Sequence, residues 1–412
     1  MDNVTHTLIG VLVGESIARV LPNSSGGLPA DTRRNLLVIL MAAGGNFPDL
    51  DFLYSSITGD KLGYLLHHRG HTHTVIGALA AAALLLITTQ AWLRWRRLRP
   101  TPRDHLTLAA VALLAPLVHI AMDFSNNYGV HPFWPFHNGW WYGDSVFIIE
   151  PLLWAACAPL AFVLRTRAAR GLVMAVLAVG VALVFFSGLV PRIFAVAFTT
   201  VVGLMLVIGR RATPRIALAS GLVLWIGVTA MFAATSHIAG DRVESAAARR
   251  FSQASLYDHV LTPMPVNPVC WEVLLIQGAG DDVALRRAML SLAPSWMPAD
   301  ECPNRSLRAA VTAPIRPVNA IDDAELQWYG EVVSSRSRLA EAAAADCRAS
   351  AFMQFARAPW LATIEDALVI GDLRYDREVP LGFAEVELSE TPGRCPAHVP
   401  PWTAPRIDLL RQ

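Results

Sequence analysis

From its first residues to residue 235 this chain is a succession of apolar runs. Most are close to the roughly 20 residues that carry a helix through a hydrocarbon layer of about 30 Å. Such runs leave few options, because backbone polar groups in lipid must be satisfied within helices or closed barrels. Six runs stand out: Val75–Trp95, Leu106–Phe124, Val146–Leu164, Leu172–Leu189, Ile193–Ile208 and Ile216–Ala234. Two shorter ones precede them, Val4–Leu21, interrupted by His6, Glu15 and Arg19, and Leu36–Phe47, closed by Pro48. Both are short enough to be buried among their neighbours. Gly10 and Gly14 are four apart and share a face that permits close helix contact. Composition agrees: 54% of residues are apolar and 16% charged, where soluble chains carry about a quarter charged. Beyond residue 235 charge and proline increase. The expected fold is therefore mainly α, a polytopic membrane helix bundle of about eight spans over residues 1–235, followed by a small soluble α+β extracytoplasmic domain over 236–412.

The arginines orient the bundle. Arg33 and Arg34 precede the second run; Arg94, Arg96, Arg97, Arg99 and Arg103 lie between the third and fourth; Arg165, Arg167 and Arg170 between the fifth and sixth; Arg210, Arg211 and Arg215 between the last two. With eight spans all of these fall on one side, which the positive-inside rule makes cytoplasmic. The expected location is the inner membrane, multi-pass, with both termini and the C-terminal domain outside. The start, Met1-Asp2-Asn3-Val4-Thr5-His6, lacks the basic segment of a secretory signal, so Asp2 and His6 are expected in the working protein. A net charge of +1 argues against a nucleic-acid partner. No phosphate-binding glycine loop or tandem repeat is present, and the sequence carries no signal of oligomeric state.

The same alternation gathers acidic and imidazole groups on the outer face. His67-His68-Arg69-Gly70-His71-Thr72-His73 holds four of the twelve histidines within seven residues. Imidazole and carboxylate are the donors that suit zinc and similar divalent ions; the alternative is a solvated loop. Asp49 and Asp51 follow Pro48, where turn capping competes with metal binding. His119-Ile120-Ala121-Met122-Asp123 puts imidazole and carboxylate one helical turn apart on one face. Ionisable groups inside a span are expensive and point to function. His71 and His73 co-orient only in extended backbone, so only one of them is expected to be a direct ligand. Glu150, before Pro151 in an apolar run, is a candidate ligand or a structural partner. His131, His137 and Asp144 are held as loop residues. The aromatics of 133–136 and 140–142 suit an interface belt or a lid equally.

Met-Asp-x-x-Thr-His at 1–6, Pro48-Asp49-x-Asp51, His68-Arg69-Gly70-x-Thr72-His73, His119-x-x-x-Asp123 and Glu150-Pro151, in this order, resemble the YdjM-like family of membrane-bound, metal-dependent hydrolases. That family is distantly similar to the zinc-dependent phospholipase C and nuclease group. The resemblance implies that His6, Asp49, His73, His119 and Asp123 are metal ligands, with Asp123 bridging; His68 and Glu150 complete the candidate set. The soluble enzymes carry a later histidine four before an acid, whereas Val146 stands four before Glu150 here. One or two ions are therefore expected, zinc first.

The implied activity is hydrolysis of a phosphoester, small-molecule or lipid, by metal-activated water. Asp51 is the candidate to orient or deprotonate that water, and Arg69 to clamp a phosphoryl oxygen; a salt bridge from Arg69 to an aspartate is the competing role. Membrane lipid is the expected partner. A transporter or proton or metal-ion relay is the alternative from another class, and a non-catalytic scaffold with a structural metal a third. A transport path needs polar groups strung through the spans, yet the last four runs hold almost nothing ionisable beyond Glu150. In the C-terminal part, Trp271–Gln277, Ala367–Tyr375 and Phe383–Leu388 read as strands and Leu339–Arg357 as a helix. Cys270, Cys302, Cys347 and Cys395 predict two disulfides in one of three connectivities, and Cys157 lies in a span.

Overall fold

A computed structural model describes residues 1–22, 26–304, 314–375, 382–388 and 395–410. The bundle opens with α1 (Asn3–Val20) and α2 (Ala30–Gly44), packed against each other. Their approach depends on glycine: a Cβ on Gly10 would lie 2.6 Å from the Met41 carbonyl oxygen, and one on Gly14 2.8 Å from Val38 Cα. The charges that interrupt α1 are paired, since Arg34 Nε donates to Glu15 Oε2 at 2.9 Å. A turn over Pro48–Asp51, α3 (Phe52–Ser55) and α4 (Asp60–His67) follow, then a turn at His71–His73 and the long helices α5 (Val75–Trp95) and α6 (Pro102–Phe124).

The expected span at Val146–Leu164 takes another form. Residues 146–150 are not helical, and the rest is two short buried helices, α7 (Pro151–Ala156) and α8 (Leu160–Val163). Pro151 starts the first at its N1 position, where the missing N–H costs nothing, and Pro159 precedes the second. The segment still links the two ends of the bundle: Arg165 meets Asp31 at 2.5 Å beside the start of α2, while Glu150 accepts from Val266 N in the C-terminal domain. Three long helices complete the bundle, α9 (Arg167–Phe186), α10 (Arg192–Arg211) and α11 (Pro214–Arg250). Among the described residues, α5, α6, α9, α10 and α11 are long and apolar enough to cross a membrane, and α2 with Pro48–Ser55, bent by 47°, makes a sixth candidate. This is a membrane protein.

The expected boundary at 235/236 falls inside α11, which continues to Arg250 and leads directly into the C-terminal domain. There β1 (Ser255–Met264), β2 (Asn267–Ala279), β3 (Asp282–Ser291) and β4 (Leu326–Ser335) form an antiparallel sheet in that order. The expected helix at 339–357 is two, α12 (Arg336–Ala345) and α13 (Cys347–Met353), separated at Asp346, which caps the second through its side chain. A second sheet contains β5 (Pro359–Ile364), β6 (Ala367–Asp372) and β7 (Glu385–Leu388). Cys270 pairs with Cys302 and Cys347 with Cys395, while Cys157 is a buried free thiol.

The C-terminal domain holds the loops at one end of the bundle. Leu62, Leu65 and Leu66 of α4 belong to its hydrophobic core with Phe352, Phe355 and Trp360. Arg357 binds Asp144 at 2.8 Å, and Trp402 Nε1 donates to the Leu66 carbonyl at 2.8 Å. That end carries the histidine-rich segment.

Candidate metal centre

Three local structures deliver the side chains. The Pro48 turn ends α2 and presents Asp49 and Asp51. The histidine segment leaves α4 through Arg69, whose φ of 59° reverses the chain, and closes a second turn that carries His73. That turn lies directly on the start of α5, where a Cβ on Gly77 would approach the His71 carbonyl oxygen to 2.3 Å. His119 and Asp123 project from one face of α6.

Asp49, His73, His119 and Asp123 meet, each offering one ligand atom, with these atoms within 4.8 Å of one another and all four residues buried. His73 Nε2 lies 3.0 Å from His119 Nε2, 3.4 Å from Asp49 Oδ1 and 3.3 Å from Asp123 Oδ2. His119 Nε2 is 3.4 Å from each of the same two oxygens. The far ring nitrogens fix the orientation of the rings. His119 Nδ1 donates to the Gly45 carbonyl at 2.7 Å, and His73 Nδ1 lies 3.3 Å from Asp51 Oδ2. Both Nε2 atoms therefore face inward, toward the two carboxylate oxygens.

Two imidazole Nε2 atoms and two carboxylate oxygens thus converge in a buried space. Asp49 Oδ1 and Asp123 Oδ2 have no hydrogen-bond partner. Two carboxylates buried beside two imidazoles are costly unless their charge is balanced, and a divalent cation is a group that all four atoms can bind together. Two histidines and two carboxylates, with a carboxylate behind one imidazole and a carbonyl behind the other, are a donor set suited to a divalent ion such as zinc.

The remaining candidates surround this group. His6 Nε2 lies 3.1 Å from Asp123 Oδ1, the oxygen turned away from the four-atom cluster, and its ring stacks on His119 at 3.8 Å. The Met1 amine also contacts Asp123 Oδ1. Asp123 therefore faces the cluster with one oxygen and His6 with the other. Arg69 is buried: its Nη1 donates to Asn126 Oδ1 at 2.7 Å and to the Asp123 carbonyl at 3.1 Å, and its Nε lies 3.0 Å from Asp123 Oδ2. It offsets the Asp123 charge, the salt-bridge role expected as its alternative.

Asp51 also differs from expectation. Its Oδ1 accepts from His68 Nδ1 at 3.0 Å, and its Oδ2 accepts from Arg69 N at 2.9 Å and Thr72 Oγ1 at 3.1 Å. A buried carboxylate so occupied orients the histidine turn. His68 is not brought into the cluster, because its Nδ1 is held by Asp51. Glu150 is not there either: it caps α7 through Leu152 N at 3.0 Å and holds Val266 N at 3.1 Å. His131, read as a loop residue, is fully buried between Trp402 and Trp140, with ring centroids 3.8 and 3.9 Å away. Burial pushes its pKa down to about 3. The Gly45 carbonyl and Asn126 were missed in the sequence; Asn126 stands three residues after Asp123, a spacing that was the available signal.

Residues 1–194 match the family model described as YdjM inner membrane protein. All the candidate ligands lie within that stretch. The chain is also similar to the uncharacterized protein YfhP of Bacillus subtilis (strain 168), 30% identical over 145 residues, which is 34% of this chain and 39% of that protein. The match thus spans well under half of the relative's length. No solved structure matches the chain.

Proposed function

We propose that this chain is an integral membrane metal-dependent hydrolase acting on a phosphoester, with one or two divalent ions held by Asp49, His73, His119 and Asp123 and, on the second oxygen of Asp123, His6. The observation that carries the reading is the convergence of two imidazole nitrogens and two carboxylate oxygens, all from buried residues and within 4.8 Å of one another. When bound, a divalent ion supplies Lewis acidity that brings water's pKa toward neutrality and stabilises negative charge on a transferred group. The protein's own residues supply the rest. Asp51 holds the His73 ring in the orientation that points Nε2 inward, and the Gly45 carbonyl does the same for His119. Arg69 pairs with Asp123 and offsets its charge. His68, with Asp51 behind its Nδ1 and its side chain partly exposed, can accept or return a proton at Nε2 at the mouth of the site.

The proposal places the site on the periplasmic side. Asp31, Arg33, Asp104 and Arg165 gather at the opposite, arginine-bearing end of the bundle, and two disulfides in the C-terminal domain suit an oxidising compartment. A transporter or ion relay has less support. The buried residues of α9 and α10 are all apolar or glycine, so no line of ionisable groups runs through that half of the bundle.

The test is a panel of phosphomonoesters and phosphodiesters offered to zinc- or manganese-loaded full-length protein in detergent. Hydrolysis of at least one class, lost with chelator and restored by metal, is the expected result. Metal-loaded protein inert to the whole panel would remove the phosphoester reading.

A further inference from the structure

The cluster has one open side. Of its four ligands only Asp49 retains accessible surface on its side chain, 8%, and His68 beside it retains 15%. What borders this opening is apolar. From Asn46 to Gly59 the only charged residues are Asp49 and Asp51, both buried. The outward surface of this stretch consists largely of Leu50, Phe52, Leu53 and Ile57, exposed by 42, 52, 66 and 50%. Tyr64, stacked on His68 at 4.7 Å, continues the rim.

Isolated apolar side chains on a surface need no explanation, but a contiguous, charge-free set beside a polar centre does. The occupant follows from the covalent neighbourhood. The segment Pro48–Ser55 is the continuation of α2, and the two together are apolar enough to be one broken membrane span. The patch is thus a continuation of the broken span, bent by 47° from α2, on the same short segment that carries Asp49 and Asp51. A bend that turns an apolar face toward the interface seats its aromatic and aliphatic side chains among the acyl chains, as an interfacial helix does.

We infer that residues 50–57 form a lip seated in the bilayer, and that the metal centre opens over it to receive a phosphoester lipid, headgroup at Asp49 and chains remaining in the membrane. A lipid entering there need not leave the bilayer, because its polar group reaches the ligands along the same surface that its chains contact. The substrate class rests on the hydrolase reading; the seating of the lip does not.

The experiment uses the full-length chain in nanodiscs of phosphatidylethanolamine and phosphatidylglycerol. A Leu53→Cys variant is labelled with an environment-sensitive fluorophore without reductant, so that the disulfides stay closed; the native free thiol, Cys157, is buried. Emission shifted to the blue and quenched by doxyl-labelled lipid is expected. An Ile321→Cys label, on a C-terminal-domain residue exposed by 85%, should be unquenched. Leu53 emission as unquenched as that of Ile321 overturns the seating.

The second arm compares Phe52→Ser/Leu53→Ser with the native chain on dioleoyl phosphatidic acid and phosphatidylglycerol, against glycerol phosphate and bis(p-nitrophenyl) phosphate. The lipid kcat/KM should drop by about tenfold or more, with the soluble rates and metal content unchanged. Equal loss on both substrate classes, or native activity on the soluble esters alone, overturns the lipid assignment. Quenching at Leu53 with no hydrolysis of any ester leaves the lip standing and removes the hydrolase reading together with the lipid substrate.

Discussion

Asp51 shows how a residue can matter to this centre without touching what the centre binds. It gathers His68, the Arg69 amide, Thr72 and the far nitrogen of His73 onto one buried carboxylate, and so sets the angle of His73. Replacing it with asparagine keeps the volume but removes the charge. The expected outcome for Asp51→Asn is a metal affinity lower by about 10- to 100-fold, the usual cost of losing such a partner, measured by competition with a chromophoric chelator. Unchanged affinity would show that Asp51 only caps the turn. At this scale much of the centre was legible. Asp49, His73, His119 and Asp123 were all nominated, because carboxylate and imidazole spaced along apolar helices have few inexpensive alternatives. The assignments of His68 and Asp51 were not legible. They depend on the left-handed backbone at Arg69, where the chain reverses and the Arg69 amide donates to Asp51, and arginine itself does not announce a positive φ.

Elements were read less evenly than residues. The long helices α5, α6, α9 and α10 begin and end within a few residues of the runs that predicted them, since hydrocarbon thickness sets their length. The stretch from Val146 to Leu164 looked equally apolar, but it is apolar because it is buried inside the bundle, and hydropathy does not separate burial in protein from burial in lipid. In the loop from Ser125 to Asp144, the sequence supports His131, His137 and Asp144 only as loop residues. The loop is held by contacts from residues more than 200 positions away, among them Arg357 on Asp144 and Trp140 on the Gln354 carbonyl. His131 sits inside this clasp, donating from Nδ1 to the Arg69 carbonyl at 3.1 Å. Its folded pKa of about 3 lies below its ordinary 6.5. The unfolded chain therefore takes up a proton below 6.5 that the folded chain refuses until about pH 3, and stability falls as pH falls through that window. Relative to the native protein, His131→Phe should show a shallower acid limb of stability against pH, by at most about 1.4 kcal/mol per pH unit. Thermal unfolding in detergent at pH 4 to 7 measures it, and parallel curves would contradict it.

For the whole molecule the informative feature is polarity along the membrane normal. One end carries Asp31, Arg33, Asp104 and Arg165 in ion pairs; the other carries the ligand cluster, the histidine turn and a disulfide-bearing domain clamped over both. That division was visible in the sequence as arginine links on one side and histidines on the other. The clamp was not, because it joins segments that nothing in local pattern connects. A reporter that is active only outside the cytoplasm, fused after Gln412, should be active, and a cytoplasm-dependent one silent; the opposite pattern would invert the proposed orientation. The central claim, that the buried cluster is a metal centre, is tested most directly by elemental analysis of the full-length protein purified in detergent with zinc supplied and excess removed. The native chain should carry about one to two equivalents of divalent metal, and His119→Ala and Asp123→Ala should each lose most of it while inserting in the membrane and forming both disulfides as before. A metal-free native chain, or metal retained undiminished in both variants, would contradict it.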